Sequence, residues 1–207
     1  NRLRQWGMTT LDRSPEDYGL TLILGGAEGE LLEIAALYAK LAELASSAPG
    51  GGREVRLLRD EPDAPSKMKD LGSASAYLTL QALTAVNRPD EEGFWRNFSS
   101  SKWVAWKTGT SFGLRDAWAV GVVDHWVLAV WIGRFDGQGN PAFVGVEAAA
   151  PLFFQVTDAL RAGGTTEPAG RKRPPGVSRV AVCPVSGKLP GPACQQATGT
   201  WFLPGVS

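Results

Sequence analysis

The sequence predicts an α+β fold, an antiparallel β-sheet covered by helices, and three observations carry that reading. Residues 103–133 hold three strand-like apolar runs, the last two separated only by Asp124-His125. Three other stretches repeat apolar residues at three- and four-residue steps, the period of an amphipathic helix. The composition, 43% hydrophobic and 20% charged, is that of an ordinary packed domain.

Residues 1–19 are mixed and polar and end in the turn-rich Ser14-Pro15-Glu16-Asp17. Leu20 to Leu24 is a short apolar run stopped by Gly25-Gly26. Ala27 to Ala45 reads as a helix, with Leu31, Ile34, Ala35, Tyr38, Leu41, Ala42 and Ala45 along one stripe, and Pro49-Gly50-Gly51-Gly52 ends it. Arg53 to Asp60 alternates as a strand would and leads into a loop, Pro62 to Pro65. Leu71 to Val86 reads as a second helix with Ala74, Leu78, Leu80, Leu83 and Ala85 as candidate core, closed by Asn87-Arg88-Pro89.

Trp103 to Thr110 reads as a strand and Phe112 to Asp116 as a glycine-containing loop. Ala117 to Val123 and Trp126 to Gly133 then form a hairpin, although Asp-His is not a favoured two-residue turn and a flanking residue is expected to help. Trp103, Trp106, Trp118, Trp126 and Trp131 are spaced as core or sheet-face residues. Glu147 to Ala162 reads as a third helix lying across the sheet through Ala150, Phe153, Phe154, Val156 and Leu160. After Gly163-Gly164 the composition turns polar, basic and proline-containing. The expected organisation is therefore a domain over 1–163, a linker over 164–178 and a short cysteine-containing tail over 179–207.

Charge excludes some functions. Lys plus Arg equals Asp plus Glu at 21 each, so no nucleic-acid footprint or polybasic membrane patch is expected. The Arg171-Lys172-Arg173 run reads as a solvated linker. The lone histidine, His125, cannot build a multi-histidine metal site and falls in a hairpin turn, so no metal or organic cofactor is expected. No apolar run is long enough to span a bilayer, and the start resembles no signal peptide. The chain reads as a portion of a longer protein, with any membrane anchor outside it. Cys183 and Cys194 are candidates for a small disulfide loop in an oxidising compartment, two free thiols being the alternative.

The stretch with chemical content is Lys107-Thr108-Gly109-Thr110-Ser111. An enzyme that acylates a serine must bind a peptide's terminal carboxylate and stabilise an oxyanion. A lysine on a strand edge supplies fixed positive charge and helps a proton relay, and threonine hydroxyls can donate to the carboxylate. A glycine lets ligand or backbone approach closely. The Thr110 N–H is then the candidate oxyanion donor, a role typically worth about 3 kcal/mol of transition-state stabilisation. Ser111 and Arg115 are candidate substrate-binding residues, with a structural role for Arg115 and Asp116 equally open.

Trp106-Lys107-Thr108-Gly109-Thr110-Ser111, with Arg115-Asp116-Ala117-Trp118-Ala119-Val120-Gly121 downstream, resembles the third motif of the class A penicillin-binding proteins. Leu24-Gly25-Gly26-Ala27-Glu28-Gly29, Cys183-Pro184-Val185-Ser186-Gly187 and Trp201-Phe202-Leu203-Pro204-Gly205 resemble their 1C type. The resemblance implies an incomplete penicillin-binding transpeptidase fold, related to the serine β-lactamases, whose last three strands lie in 103–133. It implies a DD-transpeptidase acting on D-Ala-D-Ala stem peptides and acylated by β-lactams, in a bifunctional peptidoglycan synthase whose glycosyltransferase domain lies elsewhere. The implied location is the bacterial cell envelope, on the periplasmic face of the inner membrane, with other cell-wall synthesis proteins as partners.

Such families order Ser-x-x-Lys, Ser-x-Asn and Lys-Thr-Gly along the chain. Ser66-Lys67-Met68-Lys69 and Ser99-Ser100-Ser101-Lys102 fit the first pattern but in the wrong contexts, and no Ser-x-Asn occurs. The nucleophile is therefore expected upstream of this chain, which by itself is expected to be inactive. A carboxypeptidase or β-lactamase-like hydrolase, and a non-catalytic cell-wall assembly module, are the alternatives.

Overall fold

A computed structural model describes residues 1–46, 71–86, 103–164 and 172–205. The expected strand over Arg53–Asp60, the loop Pro62 to Pro65, the stops at Pro49 and Asn87-Arg88-Pro89, and both Ser-x-x-Lys strings lie outside the described residues.

Alternation of apolar residues sets the centre of the fold. Strands β1 (Val104–Thr110), β2 (Asp116–Val123) and β3 (Trp126–Gly133) form an antiparallel sheet in the order β1-β2-β3. β2 and β3 pair from Asp116↔Gly133 to Val123↔Trp126, so the hairpin loop is Asp124-His125 alone, without a flanking residue. Asp124 makes this possible by adopting a left-handed φ of 51°. Its carboxylate is buried and paired with Arg161 Nε at 3.0 Å, while the Arg161 Nη2 donates to the Trp103 carbonyl. His125 is exposed, as expected of a turn residue.

Helices cover both faces. α1 (Arg2–Trp6) and the one-turn α2 (Pro15–Tyr18) precede a 3₁₀ helix over Gly19–Leu24. α3 (Leu31–Ala45) starts later than expected, because Gly29 and the extended Glu30 interrupt the apolar stripe. α4 (Ser73–Leu83) ends at Leu83, which leaves Ala85 exposed rather than in the core. One face of the sheet packs Ala105 and Val122 against Ala45, Ala76, Tyr77 and Leu80 of α3 and α4. The opposite face packs Val104, Trp106, Ala117, Ala119 and Val123 against Ala149, Ala150 and Phe153. Trp106 stacks on Phe153 and meets Phe154 edge-on, with centroids 6.0 and 4.8 Å apart.

The third expected helix is divided in two. A π-helical turn over Gly145–Ala149 runs into α5 (Ala150–Ala162). Val156, expected in the core, is exposed, and Thr157 is buried in its place. The helical period decides this: Ala150, Phe153 and Thr157 share a stripe that Val156 leaves by a full residue. Threonine tolerates the position because its hydroxyl donates to the Phe153 carbonyl at 2.8 Å. In the tail, β4 (Ser178–Val182) and β5 (Thr198–Phe202) form a separate two-stranded sheet. It is anchored to the main core by Val177, which is buried in the α3–α4 cluster, and by Trp201, whose ring meets Tyr77 edge-on at 5.8 Å.

Candidate active site

The candidate residues lie along one strand, and its hydrogen-bond phase determines what each presents. Ser111 N donates to the Asp116 carbonyl at 3.0 Å. With the register Lys107↔Val120 and Gly109↔Trp118, this puts Lys107, Gly109 and Ser111 in the phase whose backbone bonds to β2. Thr108 and Thr110 fall in the other phase. Their N–H and C=O groups point away from β2, to the outer edge of the strand, which no described strand covers. A lysine ammonium already reaches that edge, since Lys107 Nζ donates to the Thr108 carbonyl at 2.7 Å.

Side chains follow the same alternation. Lys107 and Gly109 share the α3–α4 face of the sheet, while Thr108 and Thr110 share the α5 face with Trp106. The lysine and the threonine hydroxyls therefore stand on opposite faces and converge only at the strand edge. Lys107 and Thr110 are exposed, whereas Thr108 and Gly109 are half-buried.

Gly109 is not required by packing. A Cβ built there would meet the Trp118 Cβ at 3.5 Å, an ordinary contact. Gly145 is different, and sequence reasoning missed it. Its N–H donates to Thr110 Oγ1 at 2.9 Å, and a Cβ on it would lie 2.3 Å from the Gly109 carbonyl oxygen. The π turn thus presses directly on the Lys-Thr-Gly strand. No local pattern reveals this, because Gly145 is one of 25 glycines and lies 35 residues from its partner.

Ser111 is committed to closing the β1–β2 loop: its Oγ accepts from Asp116 N at 2.8 Å and its carbonyl accepts from Leu114 N at 3.1 Å. Arg115 is exposed in that loop, and Asp116 accepts from Trp131 Nε1 at 2.9 Å. Phe112, also in the loop, is 99% exposed, an aromatic ring next to the candidate strand that the sequence reading did not single out.

Cys183 and Cys194 are free thiols far along the chain from this strand, in the loop between β4 and β5. The Cys194 thiol lies against Cys183 and, with N–H groups and the hydroxyl of Ser186, lowers the Cys183 pKa to about 7. The same contact raises that of Cys194. Among the described residues no three His, Cys, Asp or Glu side chains gather to hold a metal, and no helix is long and apolar enough to cross a membrane.

Residues 173–207 match the family described as penicillin-binding protein 1A, C-terminal domain. Penicillin-binding protein 1C of Escherichia coli K12 is 34% identical over 189 residues, which is 90% of this chain and 23% of that protein. Penicillin-binding protein 1B of Buchnera aphidicola is 34% identical over 79 residues, 38% of this chain and 11% of that protein. The chain thus spans about a quarter or less of the relatives it matches. A crystal structure of penicillin-binding protein 1A from Haemophilus influenzae superposes with a TM-score of 0.67 at 14% identity, covering 98% of this chain and 36% of that one. That likeness carries the fold, and with it the α+β arrangement of a penicillin-binding transpeptidase expected from the sequence.

Proposed function

Because the chain belongs to the class A penicillin-binding proteins, we propose that it forms the Lys-Thr-Gly wall of a DD-transpeptidase active site in a peptidoglycan synthase. The observation that supports this most directly is the outer edge of β1. There the backbone groups of Thr108 and Thr110 and the Lys107 ammonium face the same outer side of the strand, which no described strand covers.

In this reading a serine from a part of the parent protein outside these residues attacks the carbonyl of a D-Ala-D-Ala stem peptide. The serine–acyl bond forms as the peptide C–N bond breaks, D-alanine leaves, and an amine on a second stem peptide takes the acyl group. A β-lactam would acylate the same serine with opening of its ring. The Thr110 N–H donates to the oxyanion, Lys107 supplies positive charge and orders the proton relay, and the threonine hydroxyls receive the terminal carboxylate. Ser111 and Arg115 extend the substrate side through the β1–β2 loop. The parent would work on the periplasmic face of the inner membrane, through an anchor outside these residues, with a glycosyltransferase domain in the same protein. The absence of a Ser-x-Asn string from the sequence supports a nucleophile elsewhere in the parent.

Fluorescent penicillin tests this reading. The chain alone is expected to remain unlabelled, and a form extended to include the parent's Ser-x-x-Lys segment is expected to label covalently. Lys107→Ala in the extended form should slow acylation by roughly 100-fold or more, the scale of a lost acid–base group. Stoichiometric labelling of the chain alone, or unimpaired labelling of the extended Lys107→Ala form, would sink the proposal.

A further inference from the structure

The β4–β5 hairpin carries chemistry that the transpeptidase reading leaves unused. Its register ends at Val182↔Thr198, so residues 183–197 hang from it as a loop. The start of that loop is tightly wound: Cys183 N donates to the Lys188 carbonyl and Gly187 N to the Cys183 carbonyl, both at 2.8 Å. The turn directs the Val185 and Ser186 N–H groups and the Ser186 hydroxyl at Cys183 Sγ. Cys194 is brought back to the same place by its own turn, Cys194 N donating to the Gly191 carbonyl at 2.9 Å, and its thiol lies against Cys183 and 3.0 Å from the Gln196 carbonyl.

The two sulfurs are thus adjacent but inequivalent. The Cys194 thiol and N–H and O–H donors converge on the Cys183 sulfur, while Cys194 donates toward Cys183 and has the Gln196 backbone beside it, its carbonyl oxygen 3.0 Å away. Donors around sulfur favour thiolate, the form that attacks disulfides.

We propose that Cys183 and Cys194 form a dithiol–disulfide pair in which Cys183 is the attacking thiolate and Cys194 the resolving thiol. With a disulfide of the form R–S–S–R as oxidant, Cys183 sulfur bonds to one R–S sulfur and expels the other as thiolate. Cys194 then gives up its proton, attacks Cys183 sulfur and expels the second thiolate. Two protein thiols are oxidised, and one disulfide is reduced to two thiols. The new bond closes residues 183–194 and pins the loop beneath the hairpin that carries Trp201 onto α4. The lowered Cys183 pKa, about 7, agrees with this order.

The reduced full chain is to be treated with glutathione disulfide at neutral pH and followed by intact mass and by maleimide capture of free thiols. Both thiols are expected to disappear together from a product that stays monomeric and is lighter by two hydrogens. Cys194→Ser, whose hydroxyl still donates to Cys183, should stop as a glutathione adduct at residue 183. Cys183→Ser should form its adduct several-fold more slowly, because the larger thiolate fraction of Cys183 outweighs its lower intrinsic nucleophilicity. Should either variant fold poorly, substoichiometric iodoacetamide on the unmodified chain gives the same order, Cys183 before Cys194. Disulfide-linked dimers, equal adduct rates in the two variants, preferential alkylation of Cys194, or two thiols persisting under oxidant would each overturn the assignment.

Discussion

Two glycines on the central sheet separate packing from function at the level of single residues. A Cβ at Gly121 would lie 2.7 Å from Trp106 Cβ, 2.8 Å from the Ala105 carbonyl oxygen and 2.9 Å from Phe153 Cζ. Gly121→Ala must therefore displace the largest aromatic contact of the core and is expected to cost about 1–3 kcal/mol, read as a fall in the denaturant midpoint. Gly109→Ala meets only Trp118 at an ordinary distance and removes a flexible residue from a strand interior. It should leave the midpoint unchanged or slightly higher, yet slow penicillin acylation in the extended form. A variant that lost stability and kept its acylation rate would show that Gly109 serves the fold instead. The thiols add a pH readout. Alkylation of Cys183 should rise with a midpoint near pH 7, because its neighbours favour the thiolate, while Cys194 should react only above the ordinary thiol range.

Individual elements depend on how their ends are held. The β2–β3 hairpin closes through Asp124, whose side chain is 1% exposed and whose Arg161 partner is 9% exposed. Asp124→Ala leaves a buried guanidinium without its counter-charge and also removes a residue that tolerates left-handed φ. We expect a loss of about 3–5 kcal/mol in chemical denaturation. Asp124→Asn keeps the backbone preference and an acceptor oxygen and should lose distinctly less; equal losses would place the cost in the charge rather than in the turn. The hairpin was legible in the sequence because alternation over two runs leaves little freedom of register, but its loop, expected to draw in a flanking residue, closes on Asp124-His125 alone because Asp124 takes a left-handed φ. The π turn was not legible, since an extra residue in a helical turn changes no composition. The error at Val156 and Thr157 has a different root: polarity hides a core position whenever the hydroxyl can be satisfied within its own helix. For the candidate site, Lys107 to Thr110 could be read directly from the sequence, but Gly145 reaches Thr110 only through tertiary folding.

At the scale of the whole molecule, the tail is joined to the main core through few contacts. Trp201 lies between Tyr77 of α4 and the Arg179 guanidinium, 5.1 Å from its ring. Trp201→Ala should free the hairpin from α4, costing about 2 kcal/mol locally, and raise proteolysis in residues 183–197 while leaving the unfolding of the three-stranded sheet nearly unchanged. Cooperative loss of the whole fold would instead make the tail integral to the domain. The 3₁₀ helix lies at the other end of this hierarchy, with Leu20, Ile23 and Leu24 at 84%, 83% and 90% exposure, apolar surface that the described residues leave in water.

The outer edge of β1 has one more consequence, set by mass action. Its outward N–H and C=O groups would receive an extended peptide, but they do not distinguish that peptide from the β1 edge of another copy of the chain. Two such edges related by a dyad would join into one six-stranded sheet, each blocking the other's row. Occupancy of the strand by substrate would then compete with the protein's own concentration, so the substrate needed to fill the edge would rise as the protein is concentrated and fall as it is diluted.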